Sequence, residues 1–161
     1  VSATFSKQTN GWDAWTYYST NDVSAHGNAH NADAIALRAW WRPEEIGTVI
    51  PSISLGYDTI SFEDHALAEN ASGYMVGLNW QDIYQPSDRI GFAFGSVLAI
   101  DDHVGDAADT TEVDPFLWEA YYSFRPNDSI EVTPAIFGGK NVDDDSGDDI
   151  FGTVITTVFK F

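Results

Sequence analysis

A chain of 161 residues has room for one domain with a sizeable core, and its lack of cysteine excludes disulfide frameworks and thiolate metal sites. With 25 acidic and 7 basic side chains the formal net charge is -18, which excludes the basic face that nucleic-acid phosphate or anionic lipid would require. Aromatic residues make up 14% of the chain, too many for a disordered acidic tail.

The chain opens on an alternating stretch, Val1-Ser2-Ala3-Thr4-Phe5-Ser6, with no initiating Met and no basic segment leading into an apolar core. This is expected of a chain that begins inside a larger protein. From there the hydrophobic period is two, and about nine strands are expected, at 1–8, 12–19, 33–42, 50–62, 72–82, 89–100, 113–125, 129–138 and 149–161. In the third, Ile35, Leu37, Ala39 and Trp41 oppose Arg38, Trp40 and Arg42. In the fifth, Tyr74, Val76, Leu78 and Trp80 oppose Gly73, Met75, Gly77, Asn79 and Gln81. The sixth puts Ile90, Phe92, Phe94, Leu98 and Ile100 on a bulky face, against Gly91, Ala93, Gly95, Val97 and Ala99. The seventh sets Phe116, Trp118, Ala120, Tyr122 and Phe124 against Leu117, Glu119, Tyr121, Ser123 and Arg125. The last sets Phe151, Ile155, Phe159 and Phe161 against Gly152, Val154, Thr156 and Val158. The longest uncharged, mostly apolar run, Ile90 to Ile100, has 11 residues. A spanning helix needs about 20, whereas a tilted barrel strand needs about 9–11.

The connections alternate in character. Asn10-Gly11, 43–49, 83–88 and 126–128 are short or built on turn residues, whereas 20–33, 63–71, 101–112 and 139–148 are longer and acidic. Residues 101–112 alone hold five acids and neither Lys nor Arg. In an antiparallel up-and-down meander, every second connection emerges at one end, so one rim is acidic and the other is trimmed to turns. That asymmetry, with Trp41, Trp80, Phe124, Phe159 and Phe161 near the tight-turn end, is expected of a transmembrane β-barrel. The alternative is a soluble β-sandwich that binds carbohydrate through exposed Trp and Tyr. Sandwich strands average about 5–6 residues, shorter than those expected here.

If the bulky faces meet lipid, the lumen faces expose Arg38, Arg42, Asp58, Asn79, Gln81, Arg89, Glu119, Tyr121 and Arg125 to a water-filled channel. The acidic rim favours cations at the mouth, while Arg38, Arg42, Arg89 and Arg125 gather toward the tight-turn end. No cofactor is expected. Asp143, Asp145 and Asp148 offer a weak calcium site, but the loop around them lacks the glycine position and closing Glu of an EF-hand. His26 and His30, four apart, read as loop residues rather than as a metal pair. All four histidines, His26, His30, His65 and His103, fall in acidic loops, which leaves no positioned general base and argues against an enzyme.

Several stretches then carry a family resemblance: Trp41-Arg42-Pro43-Glu44-Glu45, Ile50-Pro51-Ser52-Ile53-Ser54-Leu55-Gly56-Tyr57, Gly77-Leu78-Asn79-Trp80-Gln81-Asp82, Ile130-Glu131-Val132-Thr133-Pro134-Ala135-Ile136-Phe137, and the end of the chain from Phe151 to Phe161. Over 34–161 the chain resembles the cyanobacterial outer-membrane porins of the Som type, in the OprB-like carbohydrate-selective superfamily often labelled iron-uptake porins. The resemblance implies an all-β, antiparallel up-and-down transmembrane barrel of about sixteen strands, of which residues 1–161 supply the C-terminal half. It implies passive diffusion of small hydrophilic solutes and inorganic ions in a Gram-negative-type outer membrane, as a homotrimer in contact with lipid and lipopolysaccharide. Peptidoglycan would be gripped only by a surface-layer-homology domain outside this chain. A terminal strand with Ile155, Phe159 and Phe161 on one face is similar to the signal read by the barrel-assembly machinery.

Overall fold

The computed structural model describes residues 1–8, 31–45, 49–63, 68–104, 114–142 and 149–161. These contain eight strands: β1 (Ser2–Gln8), β2 (Asn31–Trp41), β3 (Ser52–Glu63), β4 (Ala68–Gln81), β5 (Arg89–His103), β6 (Phe116–Asn127), β7 (Ile130–Lys140) and β8 (Ile150–Phe159). Each pairs antiparallel with its sequence neighbour, giving one open up-and-down sheet in the order β1 to β8. No described helix is long and apolar enough to cross a membrane. The strand expected at 12–19 lies outside the described residues, as do His26, His30 and His65.

Alternation builds the two faces. The register Ser2–Arg38–Gly56–Met75–Gly95–Leu117–Gly139 runs across one face, and Ala3–Leu37–Tyr57–Tyr74 runs across the other. The first is the small-residue face, and the sheet curls around it. Leu98 of β5 and Thr4 and Ser6 of β1 border the same recess of about 210 Å³, although three strands lie between them.

The sheet departs from strict alternation at one place that matters. Ser72 pairs with Ala99 and Tyr74 with Ser96, so β5 carries one residue more than β4 over this interval, a β-bulge. An extra residue inverts the side-chain parity beyond it. Leu98 and Ile100 therefore leave the bulky face of Ile90, Phe92 and Phe94, where alternation alone had placed them, and turn to the concave side. There Ile100 is buried with Ala32, Ile60, Ala68 and Ala71, and Leu98, Ala34 and Phe62 pack against that cluster. Gly73 lies opposite the bulge, and a Cβ on it would stand 3.1 Å from the Leu98 backbone nitrogen. The same apolar cluster draws β4 and β5 beyond their expected ends. β4 starts at Ala68 rather than 72, and β5 runs to His103, so that histidine ends a strand instead of lying in a loop.

The β4–β5 turn is held from within. Asp88 has no exposed surface, and its carboxylate accepts hydrogen bonds from the backbone N–H groups of Ile83 (2.9 Å), Tyr84 (3.0 Å) and Gln85 (3.2 Å). The Tyr122 hydroxyl of β6 donates a fourth at 3.2 Å. Asp82 and Ser87 both take left-handed backbone conformations, with φ of 57° and 69°, and the Ser87 N–H donates to the Asp82 carboxylate. Burial pushes the Asp88 carboxyl up, but the backbone donors and Tyr122 outweigh it and hold it below the ordinary carboxylate value.

Candidate functional site

Two surfaces stand out, one on each face of the sheet. The concave face carries a groove of about 520 Å³ that runs from Arg38 on β2 to Phe137 on β7. Its floor is low because Gly56, Gly73 and Gly95 lie along it. Arg38 crosses over Gly56, where a Cβ would come within 3.4 Å of its side chain. From there its Nη2 donates to Asp58 Oδ2 at 2.8 Å, and Nη1 donates to the carbonyls of Leu37 (2.9 Å) and Tyr57 (3.3 Å). Both partners stay about half open to solvent.

Toward the tight-turn end, three strands bring a second charged group together. Arg89 of β5 and Arg125 of β6 converge on Glu131 of β7, with Arg125 Nε at 2.9 Å from Oε2. Ser123 donates to Glu131 Oε1 at 3.3 Å, and Thr133 donates to Ser123 at 2.9 Å. Glu131 is the more enclosed member, with its side chain 16% exposed against 42% and 41% for the two arginines. One carboxylate facing two guanidinium groups leaves one positive charge in excess. Between the two charged groups, Asn79 Nδ2 donates to the Tyr121 hydroxyl at 2.7 Å. The Tyr121 ring lies directly over Gly91, so closely that no Cβ fits there.

Of the residues expected to face a lumen, Arg38, Asp58, Asn79, Gln81, Arg89, Glu119, Tyr121 and Arg125 all lie on this concave face. Gln81 ends β4 opposite Arg89. Arg42 lies just past β2, its guanidinium 5.6 Å from the centre of the Trp40 ring. Glu119 is exposed, and among the described residues its side chain has neither a hydrogen bond nor an ion pair. The calcium candidates Asp143, Asp145 and Asp148 lie outside the described residues. Glu131 was not singled out from the sequence, although its alternation with Thr133 puts it on the same face as Arg125. Asp88 read only as a turn residue, and nothing local announces that four donors converge on it.

The convex face is apolar and open. Phe5, Leu37, Leu55, Tyr74, Phe92, Phe116, Ile136 and Ile155, one from each strand in order, are between 37% and 74% exposed. Aromatic rings run together across it. Phe94 stands 5.9 Å from Phe92 and 6.3 Å from Phe116, and Trp118 stands 6.3 Å from Phe151. At the tight-turn end lie Trp41, the stacked pair Tyr122 and Phe124, and Phe159. Trp80 is there too, its indole N–H donating to the Val49 carbonyl at 2.9 Å. At the opposite end the apolar surface stops at a charged cluster in which Lys7 contacts Asp33 at 3.2 Å and Glu63 at 3.1 Å. Ile155 and Phe159 are exposed on β8, and Phe161 follows it, fully exposed. Scanned against family models and searched against curated proteins and solved structures, the chain returned no match.

Proposed function

We propose that this chain forms part of the wall of an outer-membrane β-barrel porin, through which small hydrophilic solutes and inorganic ions diffuse passively. One observation carries the reading: every strand exposes a bulky apolar side chain on the convex face, while the concave face carries ion pairs, amides and glycines. Soluble proteins rarely leave a contiguous apolar surface of that kind open to water. Lipid outside and water inside would satisfy both faces. Strands β2 to β8 run 10 to 15 residues, enough to cross a bilayer at a tilt of about 45°. A β-sandwich needs two sheets packed face to face, whereas the described strands form one sheet.

Among the described residues, strands β1 and β8 each have a single partner. Open edges are costly in lipid, so further strands of the same barrel close the wall, as the family resemblance implies. In this reading Phe161, Phe159 and Ile155 address the chain to the assembly machinery, the membrane is a Gram-negative-type outer membrane with lipopolysaccharide, and the assembly is a homotrimer.

Reconstitution into a planar bilayer of the full-length protein that contains this chain tests this. Stepwise conductance that needs no energy source supports the porin. A full-length protein that stays monomeric in buffer without detergent and gives no steps overturns it.

A further inference from the structure

We infer that Glu119 is the residue of the groove that sets its preference between cations and anions. This deepens the porin reading and rests on it. The argument starts from charge balance on the concave wall. Arg38 and Asp58 neutralise each other, and Glu131 neutralises one of the two arginines that grip it. Glu119 borders the same groove as Arg38 and Asp58, and among the described residues it is the one carboxylate of that groove with no ion-pair or hydrogen-bond partner for its side chain. Its position also favours it. Across the sheet it faces Ala93, and one strand further Gly77, so its carboxylate rises from a low floor. Leu117 and Phe137 border the groove beside it without offering a hydrogen-bond donor. A paired carboxylate presents a dipole to a passing ion, whereas an unpaired one presents a full charge. The Arg89–Glu131–Arg125 group, with its excess positive charge, begins where Arg89 pairs with Ser123, four residues or about 13 Å along β6 from Glu119, beyond the screening length at moderate salt.

At about 7 Å through water with salt near 0.1 M, one unit charge raises the occupancy of a monovalent cation about 1.6-fold and lowers that of an anion by the same factor, which changes their ratio about threefold. The test is the reversal potential of the reconstituted full-length protein under a KCl gradient near 0.1 M, compared among wild type, Glu119→Gln, Glu119→Asp and Glu119→Lys. Expected are a fall of about threefold in the cation-to-anion permeability ratio for Glu119→Gln, retention for Glu119→Asp, and a larger fall for Glu119→Lys. Circular dichroism of each variant checks that the sheet has formed. Channels that open normally with an unchanged ratio in Glu119→Gln and Glu119→Lys overturn this inference and leave the porin standing. A full-length wild-type protein that never opens overturns the porin, and this inference falls with it.

Discussion

At the scale of the residue, the side chains that organise this sheet are those that other groups close around. Asp88 is held below the ordinary carboxylate value because three backbone N–H groups and Tyr122 need its charged form. A folded value below the unfolded one of about 3.9 gives stability that is complete above that pH and is lost as pH falls through the folded value. Acid titration followed by tryptophan fluorescence should therefore show wild type losing stability below about pH 4. Asp88→Asn should start less stable at neutral pH and show a shallower acid loss. Gly91 makes the complementary point, because there the absence of a side chain is what matters. A methyl group at Gly91 collides with the Tyr121 ring, so Gly91→Ala must swing that ring away and break its bond to Asn79. The expected cost is about 1–3 kcal/mol by urea unfolding, and a second change, Tyr121→Ser, should recover most of it.

At the scale of the element, the bulge in β5 decides where two large side chains go. Without it, Leu98 and Ile100 would extend the convex apolar surface, and the Ala32–Ile60–Ala71 cluster would lose both of them. With it, β5 is apolar on the convex side up to Phe94 and apolar on the concave side beyond Val97. Ile100→Ala should therefore cost about 2–4 kcal/mol, as for a buried core position, because a cavity opens among residues that cannot follow the lost atoms. Phe92→Ala, on the same strand but 37% exposed, should cost far less in detergent. Equal costs measured in denaturant would show that the bulge does not divide the strand. The β4–β5 turn acts at the same scale. By tying Tyr122 to Asp88, it ties β6 to the turn that joins its two predecessors, and so helps bring Arg89 and Arg125 to Glu131.

At the scale of the molecule, the two faces require different solvents, and this gives the sharpest test of the membrane reading. Ile136 sits near the middle of β7 on the convex face and is 44% exposed. In a bilayer, Ile136→Arg should destabilise the folded chain by about 2–4 kcal/mol, whereas on a water-exposed sheet it should cost almost nothing. Folding into lipid vesicles, read by the shift in gel mobility between heated and unheated samples, separates the two cases. A loss below about 0.5 kcal/mol would place the convex face in water.

The sequence by itself determined the all-β class, the antiparallel meander and the assignment of most residues to one face or the other. The physical reason is that a strand has a side-chain period of two, so a residue's face follows from counting along the chain. Eight of the expected lumen residues reached the concave face by that count alone. What counting cannot supply is anything that depends on a second strand. The bulge appears only when β5 is laid against β4, because its signal is a mismatch in register and not a residue type. It misplaced Leu98 and Ile100, and β4 and β5 run further than alternation alone predicts. Glu131 gains its role from arginines 42 and 6 residues away in the chain, and Asp88 gains its burial from a tyrosine 34 residues on. Period-two alternation is a local property and was legible. Charge pairing and burial are set by which strands become neighbours, and only the tertiary structure decided them.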